Sequence, residues 1–234
     1  MNIHILKLFS ILILSSIILT SCLKDNDDLN NLDVPQGGFT MMNVYSSTNF
    51  VIHKADNNFI QSMNSPLQFK GINFAYLFPG NRKIQTIDFE NKILIDSTYT
   101  IKDGLLYSSI IYTKTNEKAG QILTEDKLLS DIGNNAAYRF LNLANNMTEA
   151  DLYIGDTKVV DNRAFDGANF ITNNYKFESI VSGAKKIIVK NQADEVLAEK
   201  DITLNTKVHY SMILIRNMKN NNNYELIVYE QYKN

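Results

Sequence analysis

Cysteine is almost absent from this sequence, and its single occurrence, Cys22, lies near the start of 234 residues. One thiol at that position leaves no internal disulfide, no thiolate metal cluster and no catalytic cysteine for the rest of the chain. Tryptophan is missing altogether. That removes the best stacking platform for a sugar face and the Cys and Trp hallmarks of antibody domains. Three prolines and ten glycines are too few for a collagen-like or low-complexity chain. Charge of neither sign dominates: 23 Lys and Arg stand against 25 Asp and Glu, a formal net charge of −2. No basic footprint for nucleic acid or anionic lipid follows from that balance. What remains is a chain 44% hydrophobic, long enough for one large or two small domains with real cores.

The start of the chain is a leader. Lys7 precedes an apolar run over 8–19 interrupted by Ser10, Ser15 and Ser16, and a bilayer crossing needs roughly 20 apolar residues. Such a run reads as the core of a secretory signal. It ends in Leu19-Thr20-Ser21-Cys22, which resembles the bacterial lipobox, an aliphatic residue and two small ones before the cysteine. The resemblance implies cleavage after residue 21 and acylation of Cys22, whose thiol can carry a diacylglyceryl group as a thioether. Acyl chains at about 0.8 kcal/mol per buried CH₂ would hold the mature protein at a membrane. Residues 22–37 then read as an acylated N-terminus with a polar, flexible tether. Lys24, Asp25, Asp27 and Asp28 resemble the surface-export signal of Bacteroidetes-type lipoproteins; a solvated linker with no address is the alternative. Leu23 is not the Asp that marks inner-membrane retention in Gram-negative systems. The expected place is therefore the outer membrane, lipid-anchored and facing the cell surface.

The body reads as β-strands, short runs rich in Ile, Val, Tyr, Phe and Thr broken by Gly, Asn and Asp. One set covers 39–45, 67–78, 83–89, 105–113 and 121–124. A second covers 137–144, 152–154, 158–160, 170–177, 185–190, 196–204, 208–215 and 224–229. Gly155-Asp156 fits a two-residue hairpin with Gly at the first central position. The two sets are copies. Gly80-Asn-Arg-Lys-Ile84 aligns with Gly183-Ala-Lys-Lys-Ile187, and one constant offset carries Thr100 onto Thr203 and Tyr107-Ser-Ser-Ile onto Tyr210-Ser-Met-Ile. That offset also sets Gln121 on Tyr224, with no net insertion between. Upstream, Met42-Asn43-Val44 matches Leu141-Asn142-Leu143 at a different spacing, so one early loop differs in length.

The pattern of hydrophobic-Asn-hydrophobic, then an aromatic, Gly and Ile, then Tyr-Ser in a late strand resembles the bacterial "domain of unknown function 4397" family. Asn43, Phe74, Gly80, Ile84 and Tyr107 carry it in the first copy, and Asn142, Phe177, Gly183, Ile187 and Tyr210 in the second. Ser182 departs from the Pro-Gly seen at Pro79-Gly80. The resemblance implies immunoglobulin-like β-sandwiches on secreted or surface-anchored proteins and implies no activity. The expected fold is all-β, with two tandem sandwiches over 38–131 and 136–234 behind a signal peptide over 1–21.

Chemistry-bearing motifs are scarce. His209 stands where the first copy has Leu106, which marks a packing position. His53 has no second His or Cys nearby for a metal site. Nucleophile elbows, zincin helices and phosphate loops are missing. Asp151, Asp156, Asp161 and Asp166 could be paired as glycosidase carboxylates, but they fall near turns, where Asp bonds its own backbone. Asn43 and Asn142 read as buried amides bonding the backbone of a following loop, or else as amides presented to a ligand. The alternating pattern assigns most Tyr and Phe rings to the core. The expected protein is thus a non-enzymatic, lipid-anchored envelope module for interaction or spacing, without catalytic residues, metal or cofactor. Its expected partners are membrane lipid through Cys22 and an unidentified protein or glycan. The alternatives are a glycan-binding accessory lipoprotein of an outer-membrane uptake system and a glycan hydrolase; an exposed Tyr and Phe row would favour the first, a cleft of paired carboxylates the second.

Overall fold

A computed structural model of the chain describes residues 34–168, 175–217 and 223–233. Cys22, Lys24, Asp25, Asp27 and Asp28 lie outside the described residues. The body from Pro35 onward is one compact unit, and its regular structure is all β. In the first copy the strands are β1 (Gly37–Val44), β2 (Phe50–Ala55), β3 (Asn58–Phe59), β4 (Leu67–Gln68), β5 (Ile72–Leu77), β6 (Gly80–Ile87), β7 (Ile93–Ile101), β8 (Leu106–Thr113) and β9 (Ala119–Asp126). In the second they are β10 (Asn135–Leu143), β11 (Glu149–Ile154), β12 (Thr157–Ala164), β13 (Glu178–Val181), β14 (Gly183–Lys190), β15 (Val196–Leu204), β16 (Val208–Asn217) and β17 (Asn223–Lys233).

Each copy makes two sheets in the same order. Sheets β5-β1-β8-β9 and β3-β2-β6-β7 form the first, β13-β10-β16-β17 and β12-β11-β14-β15 the second. The match extends to register. β1 lies parallel to β8 with Asn43 opposite Ile111, and β10 lies parallel to β16 with Asn142 opposite Leu214. Gly80 and Gly183 open β6 and β14 at φ of +115° and +111°, a region that side chains beyond hydrogen rarely enter. The same backbone therefore turns from β5 into β6 and from β13 into β14, with or without the preceding proline.

Three cores hold the layers. Phe39 and Met41 of β1 meet Val51, Ile84 and Ile101 inside the first sandwich, and Phe140 and Met212 meet Leu152, Ile187 and Val189 inside the second. The third core lies between the copies. Met42, Val44, Ile110 and Ile122 on the outer face of β5-β1-β8-β9 pack on Leu141, Leu143, Ile213 and Ile227 of β13-β10-β16-β17. The central strands of both inner sheets thus bury both faces, which explains why β1, β8, β10 and β16 are buried at nearly every residue. Such strands lose strict alternation and read as continuous apolar runs.

Several sequence expectations need correction. The segment 67–78 is two strands, β4 and β5, because Lys70 stands at φ +64° and breaks the extension. Two strands stand outside the sets expected from the sequence, β2 and β7, whose counterparts β11 and β15 lie within them. Part of 170–177 lies outside the described residues; Tyr175 to Phe177 is not strand, and the strand there starts at Glu178. Gln121 does not correspond to Tyr224: it pairs with Ile111, whereas the equivalent Leu214 pairs with Leu226. The β16–β17 hairpin is longer than β8–β9, and this insertion is what a constant offset hid.

Replacing Gly183 by Ala isolates the cost of the turn, because an added Cβ there meets no neighbour within 4 Å. The variant should lose about 1–3 kcal/mol of stability, read as a lower urea midpoint at unchanged m-value.

Candidate functional site

The recurrent asparagines and tyrosines do the same work in both copies. Asn43 donates from Nδ2 to the Leu67 carbonyl at 3.1 Å, and its Oδ1 accepts from the Tyr45 N–H. Asn142 donates to the Arg163 carbonyl at 3.0 Å and accepts from the Ala144 N–H. Both amides are spent on backbone, each tying the end of its own strand to a later one, β1 to β4 and β10 to β12. Tyr107 Oη accepts from the Lys102 N–H at 3.0 Å and Tyr210 Oη from the Asn205 N–H at 2.8 Å. Each buried ring thus ties the corner that precedes its own strand, the device of the tyrosine corner in immunoglobulin-like sandwiches.

The interface between the copies holds a polar cluster that sequence reasoning missed. Arg139 on β10 and Asp126 on β9 are fully buried at the side chain and meet at 2.7 Å. Arg139 also donates from Nε to Ser211 at 2.7 Å and from Nη2 to Ser108 at 2.9 Å and Gln231 at 2.7 Å. Asp126 accepts from Thr124, Gln231 and Tyr232, and from Ser108 by a short bond. Burial alone would push Asp126 up, yet Arg139 and the hydroxyls of Ser108 and Thr124 hold it below the usual carboxylate range. No donor or acceptor is left over for a ligand, so this cluster joins the copies.

His53 and His209 are both packed into the fold. His209 Nε2 accepts from the Leu129 N–H at 3.1 Å, and its ring stands edge-on to Phe177. His53 lies in the middle of β2 on the face of Val51 and Ala55, the position that Leu152 fills in the second copy. Burial depresses its pKa to about 4. Three of the four acids weighed for a hydrolase are likewise engaged, and Asp156 sits exposed in the turn between β11 and β12. Lys158 bridges Asp151 at 2.7 Å and Asp161 at 2.9 Å, and although desolvation pushes Asp151 up, Lys158 holds it below the usual range. A glycosidase general acid needs the opposite shift. Asp166 accepts from the Asn142 N–H at 2.8 Å. Among the described residues no cluster of His, Cys, Asp or Glu could hold a metal.

The unexplained surface is the lateral edge of the first sandwich. Phe59, Phe74, Tyr76 and Phe78 are 51%, 44%, 62% and 64% exposed, exceptions among described rings that are mostly buried or half-buried. Phe74 and Tyr76 stand edge to face at 5.0 Å. Phe59, Ile60, Leu77 and Phe78 line an open cleft of about 350 Å³ between β3 and the end of β5. Part of its polar rim is already engaged, since Arg82 donates to Asp56 at 3.0 Å and to the Phe78 and Pro79 carbonyls; Asn58 lines the cleft as well. In the second copy Phe177, the counterpart of Phe74, is buried under Leu128, Leu129 and Ile132 of the connector. The aromatic was legible in the sequence; whether a connector covers it was not.

No family model matches the chain, and no curated protein does. Among solved structures it is similar to a streptococcal virulence factor that binds α-glucan, at TM-score 0.27 and 9% identity over 83% of this chain and 97% of that one. A family 41 carbohydrate-binding module from streptococcal virulence factors, which recognises α-glucan, gives 0.26 and 7% over 83% and 97%. A DUF3823 family protein from Bacteroides ovatus gives 0.21 and 12% over 72% and 96%. Likenesses this loose transfer neither a ligand nor a residue role.

Truncating Asp126 to Ala strands a buried guanidinium and should cost about 3–5 kcal/mol, whereas Asp126→Leu combined with Arg139→Met should recover most of it; urea unfolding of the two variants beside the wild type checks the pattern. His53 supplies a pH test. The unfolded imidazole titrates near 6.5 and the folded one near 4, so the unfolded chain binds the proton first. Stability is full above about 6.5 and falls, by roughly 3 kcal/mol in all, as the pH drops toward 4. His53→Leu should flatten that limb of the stability profile.

Proposed function

We propose that the chain is a lipid-anchored, non-enzymatic protein of the bacterial envelope whose paired sandwiches act as one stiff interaction or spacer module. The third core carries this reading. Domains in one chain move relative to each other unless the interface between them is large and hydrophobic; here both inner sheets bury their outer faces, and an ion pair locks them. A body that does not flex at its middle is what presentation at a distance from a membrane requires. Anchoring is supported by the lipobox resemblance at Leu19-Thr20-Ser21-Cys22, and outward display by Leu23 and the acidic run Asp25, Asp27 and Asp28. The pattern shared with the 4397 family rests on the quoted residues alone.

A second reading, a glycan-binding accessory lipoprotein, is favoured by the exposed row Phe74, Tyr76 and Phe78. The engaged state of Asp56 and Arg82 counts against it, because sugar hydroxyls need uncommitted polar partners in such a site.

Labelled palmitate should enter the wild type and not the Cys22→Ala variant. Protease added to intact cells should remove the body of the wild type and spare a variant with Asp25, Asp27 and Asp28 changed to Ala. Labelling that survives the first change ends the anchored reading, and equal protection in the second ends surface display.

A further inference from the structure

We propose that β5 is a self-association edge, and that a second copy of this chain adds its own β5 antiparallel to it, which deepens the interaction-module reading by naming the partner. Backbone direction is the first argument. The Gly38 N–H donates to the Leu105 carbonyl on the β8 side, and the Asn43 N–H donates to the Gly71 carbonyl on the β5 side. Even residues of β1 therefore serve β8 and odd ones serve β5. By register, Asn73, Ala75 and Leu77 face β1, so the N–H and C=O groups of Ile72, Phe74 and Tyr76 point to the free edge. Their side chains share the face opposite Ala75 and Leu77, which pack into the first core.

The other edges are protected. β7 carries Asp96, β9 Glu125, β12 Lys158, β13 Glu178, β15 Glu199 and β17 Glu225. Charge at an edge is the usual device against strand pairing. Among the described edges longer than two residues, β5 alone has no charged residue. The flanking cations are neutralised in place, Lys70 by Glu225 at 2.5 Å and Arg82 by Asp56 at 3.0 Å.

A second copy is the occupant because β5 is its own complement. Under a two-fold axis at Phe74, that residue faces its twin, and Ile72 faces Tyr76 of the other copy. Every outward donor then meets an outward acceptor, about six hydrogen bonds in all. Aromatic and β-branched neighbours across strands add to that, and no charge is buried. The result is one continuous sheet running β9-β8-β1-β5 and back through the second copy, an isologous contact that closes at two.

The test is sedimentation of the full acylated chain in density-matched mild detergent. The wild type should sediment as a dimer at micromolar concentration, and Phe74→Lys or Tyr76→Lys should weaken association at least about tenfold with an unchanged β-sheet circular dichroism spectrum. Val196→Lys, an exposed change on charged β15, should leave the dimer intact. In a second arm, Phe74→Cys should give a disulfide-linked homodimer, whereas Ile72→Cys and Tyr76→Cys should cross-link mainly with each other when mixed. A monomeric wild type, a Phe74→Lys chain as dimeric as the wild type, or a monomer that binds glycan or a foreign peptide at this edge overturns the proposal. Palmitate labelling and protease shaving are untouched by that failure, so the anchored module can stand while its self-association falls.

Discussion

The register of the two copies on each other depends on a buried ion pair that neither copy could make alone. A guanidinium and a carboxylate removed from water each lose several kcal/mol of solvation, and only mutual contact with every remaining donor and acceptor satisfied offsets that. By register, Arg139 occupies in the second copy the place of Thr40 in the first, Ser211 that of Ser108, and Tyr232 that of Asp126, with Gln231 the extra residue of a bulge. The two inner sheets therefore meet through the same face, an arrangement of the isologous kind. Under that symmetry identical copies would make the contact twice, as two Arg–Asp pairs; here it is made once as an ion pair and once as Thr40 donating to the Tyr232 hydroxyl at 3.0 Å. A sheet slipped by one residue would leave both charges unpaired in an apolar layer.

Much of this was legible as local pattern. Strand runs, the two turn glycines, the tied asparagines and the corner tyrosines repeat in the sequence because each solves a problem inside one sandwich, and each solution needs a particular residue at a particular place. The repeat itself implies β2 and β7, since 50–55 and 93–101 correspond to β11 and β15 in the other copy. What failed was the last hairpin, where a constant offset concealed an insertion because the strand residues on either side are interchangeably apolar.

The middle layer was written in the sequence in a less direct form. Ile110-Ile111-Tyr112 and Met212-Ile213-Leu214-Ile215 do not alternate, and runs without alternation belong to strands covered on both sides. Arg139 in the run Ala136-Ala137-Tyr138-Arg139-Phe140-Leu141 was the sharper signal. A lone charge in a strand with no polar face must find a buried partner, but nothing in a single sequence says that the partner is Asp126, at the end of the other copy.

The aromatic edge shows the limit from the other side. Phe74 and Phe177 are the same residue at the same repeat position, and one is bare while the other is covered. Leu128, Leu129 and Ile132 cover Phe177 because a connector must pass there on its way from β9 to β10, so burial at this position is set by chain connectivity and not by the residue. The cover ends at Phe177: β13 itself is exposed along most of its length and keeps Glu178, bonded to the Tyr138 hydroxyl at 3.0 Å, whereas β5, exposed as well, keeps no charge. Two edges open to solvent thus differ in the device that blocks strand pairing, and an edge without that device is what a strand retained for pairing leaves.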